Sequence, residues 1–141
     1  MKLIIWHCDS YFIGNPIKSQ KAQNNVETVK NIDVKNSLSI WITIESLEDK
    51  NYFSDLLRDI DPLSKRFNIK LIVLTPFVHL TNKPLNLKQS HIIIKELGLY
   101  LHKKGFDIKR AQFGSAKDLK MVSLADQYQC VYRSYPKPEF I

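Results

Sequence analysis

The chain has 141 residues, of which 44% are apolar and 25% charged. That is one domain of ordinary globular composition, and it excludes a disordered chain. The formal charge of +7 is uneven: residues 1–82 hold ten Lys/Arg against nine Asp/Glu, a net of +1, while residues 83–141 hold eleven against five, a net of +6. A basic second half points to a polyanionic partner, although a lysine-rich surface also serves solubility alone.

In chain order, residues 2–8 form an apolar, β-branched run that predicts a buried first strand. The run is too short for a signal peptide or a membrane span. With two cysteines, Cys8 and Cys130, and no CxxC pair, a reduced, cytoplasmic protein is expected. From Asp9 to Lys35 the pattern dissolves into Asn, Gln, Lys and Ser, with Gly14 and Pro16 as turn signals, so a long loop or irregular hairpin is expected. Residues 37–45 alternate, with Leu38, Ile40, Ile42 and Ile44 on one face and Trp41 on the other, as a half-buried strand does.

Phe53, Leu56, Leu57, Ile60, Leu63 and Phe67 recur at helical spacing over residues 52–67, where Asp61-Pro62 should kink or divide the helix. A short strand over 69–75 ends at Pro76. A second helix is expected over 87–104, with Asn86 as N-cap and Gly105 as its stop; Leu87, His91, Ile94, Leu97 and Leu101 share a stripe. Residues 106–113, 119–124 and 128–135 read as three further strands. The order β, β, α, β, α, β, β, β predicts an α/β (α+β) domain: a mixed β-sheet with two packed helices. Pro136-Lys137-Pro138 reads as an exit, so residues 1–141 form a single domain that can be one module of a longer chain.

The four glycines are scattered, so phosphate-loop and dinucleotide motifs are absent. No nucleophile elbow anchors a Ser-His-acid triad. His7-Cys8-Asp9 offers ligand types, but strand neighbours point to opposite faces and no second cluster stands at zinc spacing, so no metal and no cofactor is expected. His91 reads as a half-buried histidine on an apolar stripe and His102 as solvated beside Lys103 and Lys104. His79 differs because it follows a strand end and the turn Pro76-Phe77. Lys117 follows Phe113-Gly114, where glycine permits a close backbone approach. His7, His79 and Lys117 all fall at expected strand ends or turns, which makes a shared site the reading to test.

Four stretches carry a family resemblance. Ile5-Trp6-His7-Cys8-Asp9, Pro76-Phe77-Val78-His79-Leu80-Thr81, Lys104-Gly105-Phe106 and Ala111-Gln112-Phe113-Gly114 with Lys117 stand in the order and spacing of the archaeal editing domain of threonyl-tRNA synthetase. That family is similar in fold to D-aminoacyl-tRNA deacylases, and the resemblance covers nearly the whole chain. It implies hydrolysis of mischarged Ser-tRNA(Thr) by a water assisted by the terminal ribose hydroxyl. Lys117 and His79 would then be catalytic, and His7, Cys8, Asp9, Pro76, Phe113 and Gly114 would line the substrate pocket. From charge, Lys83, Lys103, Lys104, Lys109 and Arg110 are candidates for tRNA phosphates. A homodimer and covalently linked synthetase domains are further implications. The chain departs from the family at Gln112, which replaces a proline, and at Ser115-Ala116, which replace an aromatic pair. Over residues 125–130 the family's site glutamate is missing. The missing glutamate and Ser115-Ala116 motivate an alternative, a tRNA-binding module that has lost its chemistry; a third reading is a D-aminoacyl-tRNA deacylase.

Overall fold

The computed structural model describes residues 1–17 and 29–138. Among the described residues nine elements follow one another: strands β1 (Lys2–Ile17) and β2 (Ile32–Thr43), a short 3-10 helix (Leu47–Tyr52), helix α1 (Phe53–Phe67), strand β3 (Leu71–Pro76), helix α2 (Leu87–Lys103), and strands β4 (Asp107–Arg110), β5 (Ala116–Val122) and β6 (Cys130–Ser134). The six strands form one mixed sheet in the order β4-β3-β2-β1-β5, with β6 also paired to β1. β1 is antiparallel to β2, β5 and β6, whereas β2, β3 and β4 run parallel to one another. The expected order of elements and the mixed sheet with two packed helices are both observed.

One face of the sheet carries the helices. Leu3 and Ile5 of β1, Leu38, Ile40 and Ile42 of β2, and Ile72 and Leu74 of β3 pack with Leu56 and Ile60 of α1 and Ile94, Leu97 and Leu101 of α2. Most of these side chains are sealed from solvent, so each contributes about 1.5–3 kcal/mol of hydrophobic stabilisation. Asn86 caps α2 by accepting the Gln89 N–H, and Gly105, at φ 100, ends it as expected. Pro62 lies inside an unbroken α1 and does not divide it; Asn68, in the left-handed conformation at φ 53, terminates that helix instead.

The expected loop from Asp9 is the main correction. β1 continues to Ile17 and β2 begins at Ile32, so residues 9–17 and 32–35 are strand; residues 29–31 are irregular, and residues 18–28 lie outside the described residues. Gly14 and Pro16 mark a register shift between β1 and β5 rather than a turn. A Cβ on Gly14 would stand 2.3 Å from the Asn31 side chain, so glycine is there for close approach.

The hydrophobic pattern failed for a physical reason: the buried parity of β1 inverts along its length. Odd-numbered Leu3 and Ile5 face the helices, while odd-numbered Tyr11 and Ile13 join Cys8 and Val73 in a second cluster on the other side. The change lies between the pairs Cys8–Ser37 and Ser10–Lys35, where Asn36 takes a left-handed φ of 54. A single alternating period cannot describe such a strand.

At the opposite end of β1, the Met1 ammonium donates to Glu45 at 2.9 Å and Asp49 at 3.1 Å, and Lys2 Nζ reaches Glu45 at 2.6 Å. Burial opposes ionisation of Glu45, but hydrogen bonds from Lys2, the ammonium and Thr81 outweigh it and hold the carboxyl at about 2. Its ordinary value is 4.5, so the stabilisation is complete above that pH and is lost as pH falls towards 2. Glu45→Gln is expected to flatten the pH dependence of urea unfolding between roughly pH 4.5 and 2.5; an unchanged slope would show that Glu45 is unlinked to folding.

Candidate active site

The C-terminal end of β3 opens onto a cleft of about 450 Å³. Its walls come from three directions: Thr75, Pro76, Phe77, Val78 and His79 from β3 and its exit, Phe113 to Lys117 from the turn into β5, and Ile13 and Trp41 from the face without helices. Leu87, the first residue of α2, closes one side. Parallel strands deliver this geometry, because the chain must leave β3 and β4 at the same edge and loops gather there.

The floor is held by a buried polar junction. Tyr11, fully enclosed, lies with its hydroxyl 3.0 Å from Thr75 Oγ1 and accepts the Trp41 Nε1–H at 3.0 Å. Both partners line the cleft, so one hydroxyl sets the position of an indole and a threonine from two strands. The exit of β3 is pinned as well: the Phe77 N–H donates to Ile42 C=O at 2.9 Å, and Thr43 Oγ1 donates to Phe77 C=O. Trp41, Phe77 and His79 then follow one another as rings, with centroids 5.4 Å and 5.1 Å apart.

His79 and Lys117 both line this cleft. His79 is exposed and packs edge-on to Phe77. Lys117 is half-buried, and its Nζ donates to the Ser115 carbonyl. Burial lowers its pKa from the ordinary 10.5, and among the described residues it has no carboxylate partner. Phe113, Gly114 and Pro76 also line it. Gly114 has a φ of 85, which a residue with a Cβ rarely adopts. No Asp or Glu lines this cleft among the described residues.

The first strand does not supply the third wall in the way the sequence suggested. His7 is mid-strand, on the helix face, with its ring stacked on Phe67 at 3.7 Å. Alternation along β2 and β3 places Trp41 and Thr75 on the other face. Cys8 is buried in the second cluster, and burial raises its thiol to about 11 despite a hydrogen bond with Ser39. A thiol so protonated is no nucleophile near neutral pH. Asp9 is exposed and does not line the cleft. Ile13, Trp41 and Thr75 line that side instead, with Tyr11 bonded to Trp41 and Thr75. Tyr11 fell within the expected loop, and Trp41 was assigned only to the non-core face of its strand.

The basic candidates separate by position. Lys83 borders a second groove of about 460 Å³ that shares His79 with the cleft. Lys109 and Arg110 sit on edge strand β4, with Arg110 at the end that meets the cleft side. Lys103 and Lys104 lie at the far end of α2, which at 17 residues places them about 25 Å from Leu87. Asp126, the one acid within residues 125–130, is on the α1 side, paired with Arg66 at 3.1 Å.

Residues 1–134 match the family described as the archaea-specific editing domain of threonyl-tRNA synthetase. A threonine–tRNA ligase of Nanoarchaeum equitans is 27% identical over 110 residues, covering 74% of this chain and 17% of that protein. The threonine–tRNA ligases of Thermococcus gammatolerans and Thermococcus kodakarensis are each 23% identical over 128 residues, covering 86% of this chain and 20% of theirs. The chain thus spans about a fifth of the length of these relatives.

Tyr11→Phe removes the one oxygen that Trp41 and Thr75 share while keeping the ring. Leaving two buried polar groups without it is expected to cost about 1–3 kcal/mol in chemical denaturation. Trp41 fluorescence is expected to shift in the folded state, and an unchanged spectrum with unchanged stability would refute the junction's role.

Proposed function

Since the chain belongs to the archaea-specific editing-domain family of threonyl-tRNA synthetase, we propose that its cleft binds the aminoacylated terminal adenosine of tRNA(Thr) and hydrolyses a wrongly attached seryl ester. The observation that carries the proposal is the meeting of Lys117 and His79 across one cleft of about 450 Å³. That volume suits a nucleoside with a small acyl group better than a free amino acid. Three rings in sequence, Trp41, Phe77 and His79, offer π-faces for a base.

The physical need for such a site is general. A threonine site rejects serine weakly, because one missing methyl group is worth only about 1–3 kcal/mol. The ester is already activated, so positioning and charge stabilisation can replace a side-chain nucleophile. Water attacks the acyl carbon and the carbonyl oxygen gains negative charge beside the Lys117 ammonium. The bond to the ribose oxygen breaks, and that oxygen takes a proton. His79 orients the water or the ribose, whose free hydroxyl assists. The high pKa of Cys8 and the place of His7 against Phe67 agree with chemistry that uses neither.

In this reading the domain is one module of a longer cytoplasmic synthetase and works as a homodimer. A second reading, a tRNA-binding module without deacylase chemistry, rests on one specific observation: among the described residues no carboxylate lines the cleft, and Asp126 is engaged elsewhere with Arg66.

Hydrolysis of Ser-tRNA(Thr) and Thr-tRNA(Thr) by the purified protein, with and without EDTA, separates the two. The seryl ester is expected to be cleaved faster, with EDTA inert. Lys117→Ala is expected to lower the rate by about 10²–10³-fold, the usual loss of one oxyanion-stabilising group. Because burial lowers the Lys117 pKa, the catalysed rate, corrected for spontaneous hydrolysis, should fall with rising pH earlier than an ordinary lysine would dictate. Tight binding without hydrolysis would establish the module reading.

A further inference from the structure

The second groove adjoins the cleft at His79 and is bounded by Lys2, Glu45, Leu80, Thr81, Asn82 and Lys83. Its character is opposite to the cleft's, polar where the cleft is apolar. Its one acid is already satisfied: Glu45 accepts from the Met1 ammonium, from Lys2 Nζ at 2.6 Å and from Thr81 Oγ1 at 2.8 Å. The same Thr81 hydroxyl accepts the Lys83 N–H at 3.3 Å, so Glu45 also fixes the loop that presents Lys83. Lys83 is exposed and has no carboxylate partner among the described residues.

An apolar pocket for a nucleoside that continues into a fixed, net cationic groove has a direction. From this continuity we propose that the groove receives the phosphodiester on the 5′ side of the terminal nucleotide, so that the single-stranded tRNA end enters past His79 and over residues 81–83. This deepens the proposed function and rests on it. Lys83 supplies the main charge, Asn82 a neutral donor, and Thr81 acts as a positioning residue through Glu45. Lys103 and Lys104, about 25 Å away along α2, play no part in holding this strand.

Two probes separate this proposal from the reading beneath it: a non-hydrolysable seryl-adenosine analogue without phosphate, and the same analogue at the 3′ end of a four-nucleotide RNA. Both are measured by calorimetry across a salt series. The oligonucleotide is expected to bind more tightly, with a salt slope that the nucleoside lacks. Lys83→Glu is expected to weaken the oligonucleotide at least tenfold and reduce its salt slope by about one, with nucleoside binding unchanged. Thr81→Val is expected to weaken the oligonucleotide several-fold without changing the slope. A doubly substituted K103E/K104E protein should behave as wild type.

If the nucleoside itself fails to bind, the cleft assignment is wrong. If it binds but Lys83→Glu leaves the oligonucleotide unaffected, or K103E/K104E takes the loss instead, the groove assignment is overturned. Equal weakening of both probes by Lys83→Glu would also overturn it, because that pattern reports a disturbed cleft rather than a lost phosphate contact.

Discussion

The Tyr11 hydroxyl ties β1, β2 and β3 together on the face of the sheet without helices. On one side of the sheet, helices and strands share a conventional apolar core that would form around many sequences of the same pattern. On the other side a cleft has to stay open, and open space beside apolar rings tends to collapse. A buried hydroxyl between Trp41 Nε1 and Thr75 Oγ1 opposes that collapse, because any inward movement of either group would strand a polar atom away from water. The inverted parity of β1 follows from the same requirement. Only a strand that turns its odd-numbered residues from the helix face to the other can supply Leu3 and Ile5 to the core and Tyr11 and Ile13 to the site.

That inversion also explains what was legible. Stretches with one period along their length, such as residues 38–43 of β2 and both helices, could be read closely, down to Asn86 as N-cap and Gly105 as terminator. Pro62 was overread, since tertiary packing of Phe53, Leu56, Ile60 and Leu63 keeps α1 in one piece. Residues 9–17 could not be read as strand, because polar residues and two turn formers sit where the sheet bends and the register shifts.

The site divided along the same line. His79, Pro76, Phe113, Gly114 and Lys117 belong to short turns whose position depends only on where a strand ends, and sequence marks strand ends well. His7 was misplaced because the first strand runs past it for ten residues, to Ile17. Charge counting found the basic half but not its arrangement: Lys103 and Lys83 are equivalent in composition, yet the length of α2 lies between them.

The cleft's electrostatics bear on how a site with no thiol and no carboxylate among its described residues acts. Lys117 has apolar neighbours and one carbonyl for company, so its charge is poorly solvated in the ground state, as its lowered pKa records. A neutral ester offers that charge only a dipole. An oxyanion offers it a full opposite charge in a medium where the interaction is less screened than in water. The difference between those two interactions, not either alone, is what accelerates a reaction. A paired carboxylate beside Lys117 would stabilise the resting lysine and diminish that difference. On the proposed reading, the missing acid is therefore not a simple loss: it removes a partner that could help place the substrate, and it leaves the lysine's charge fully available to the transition state.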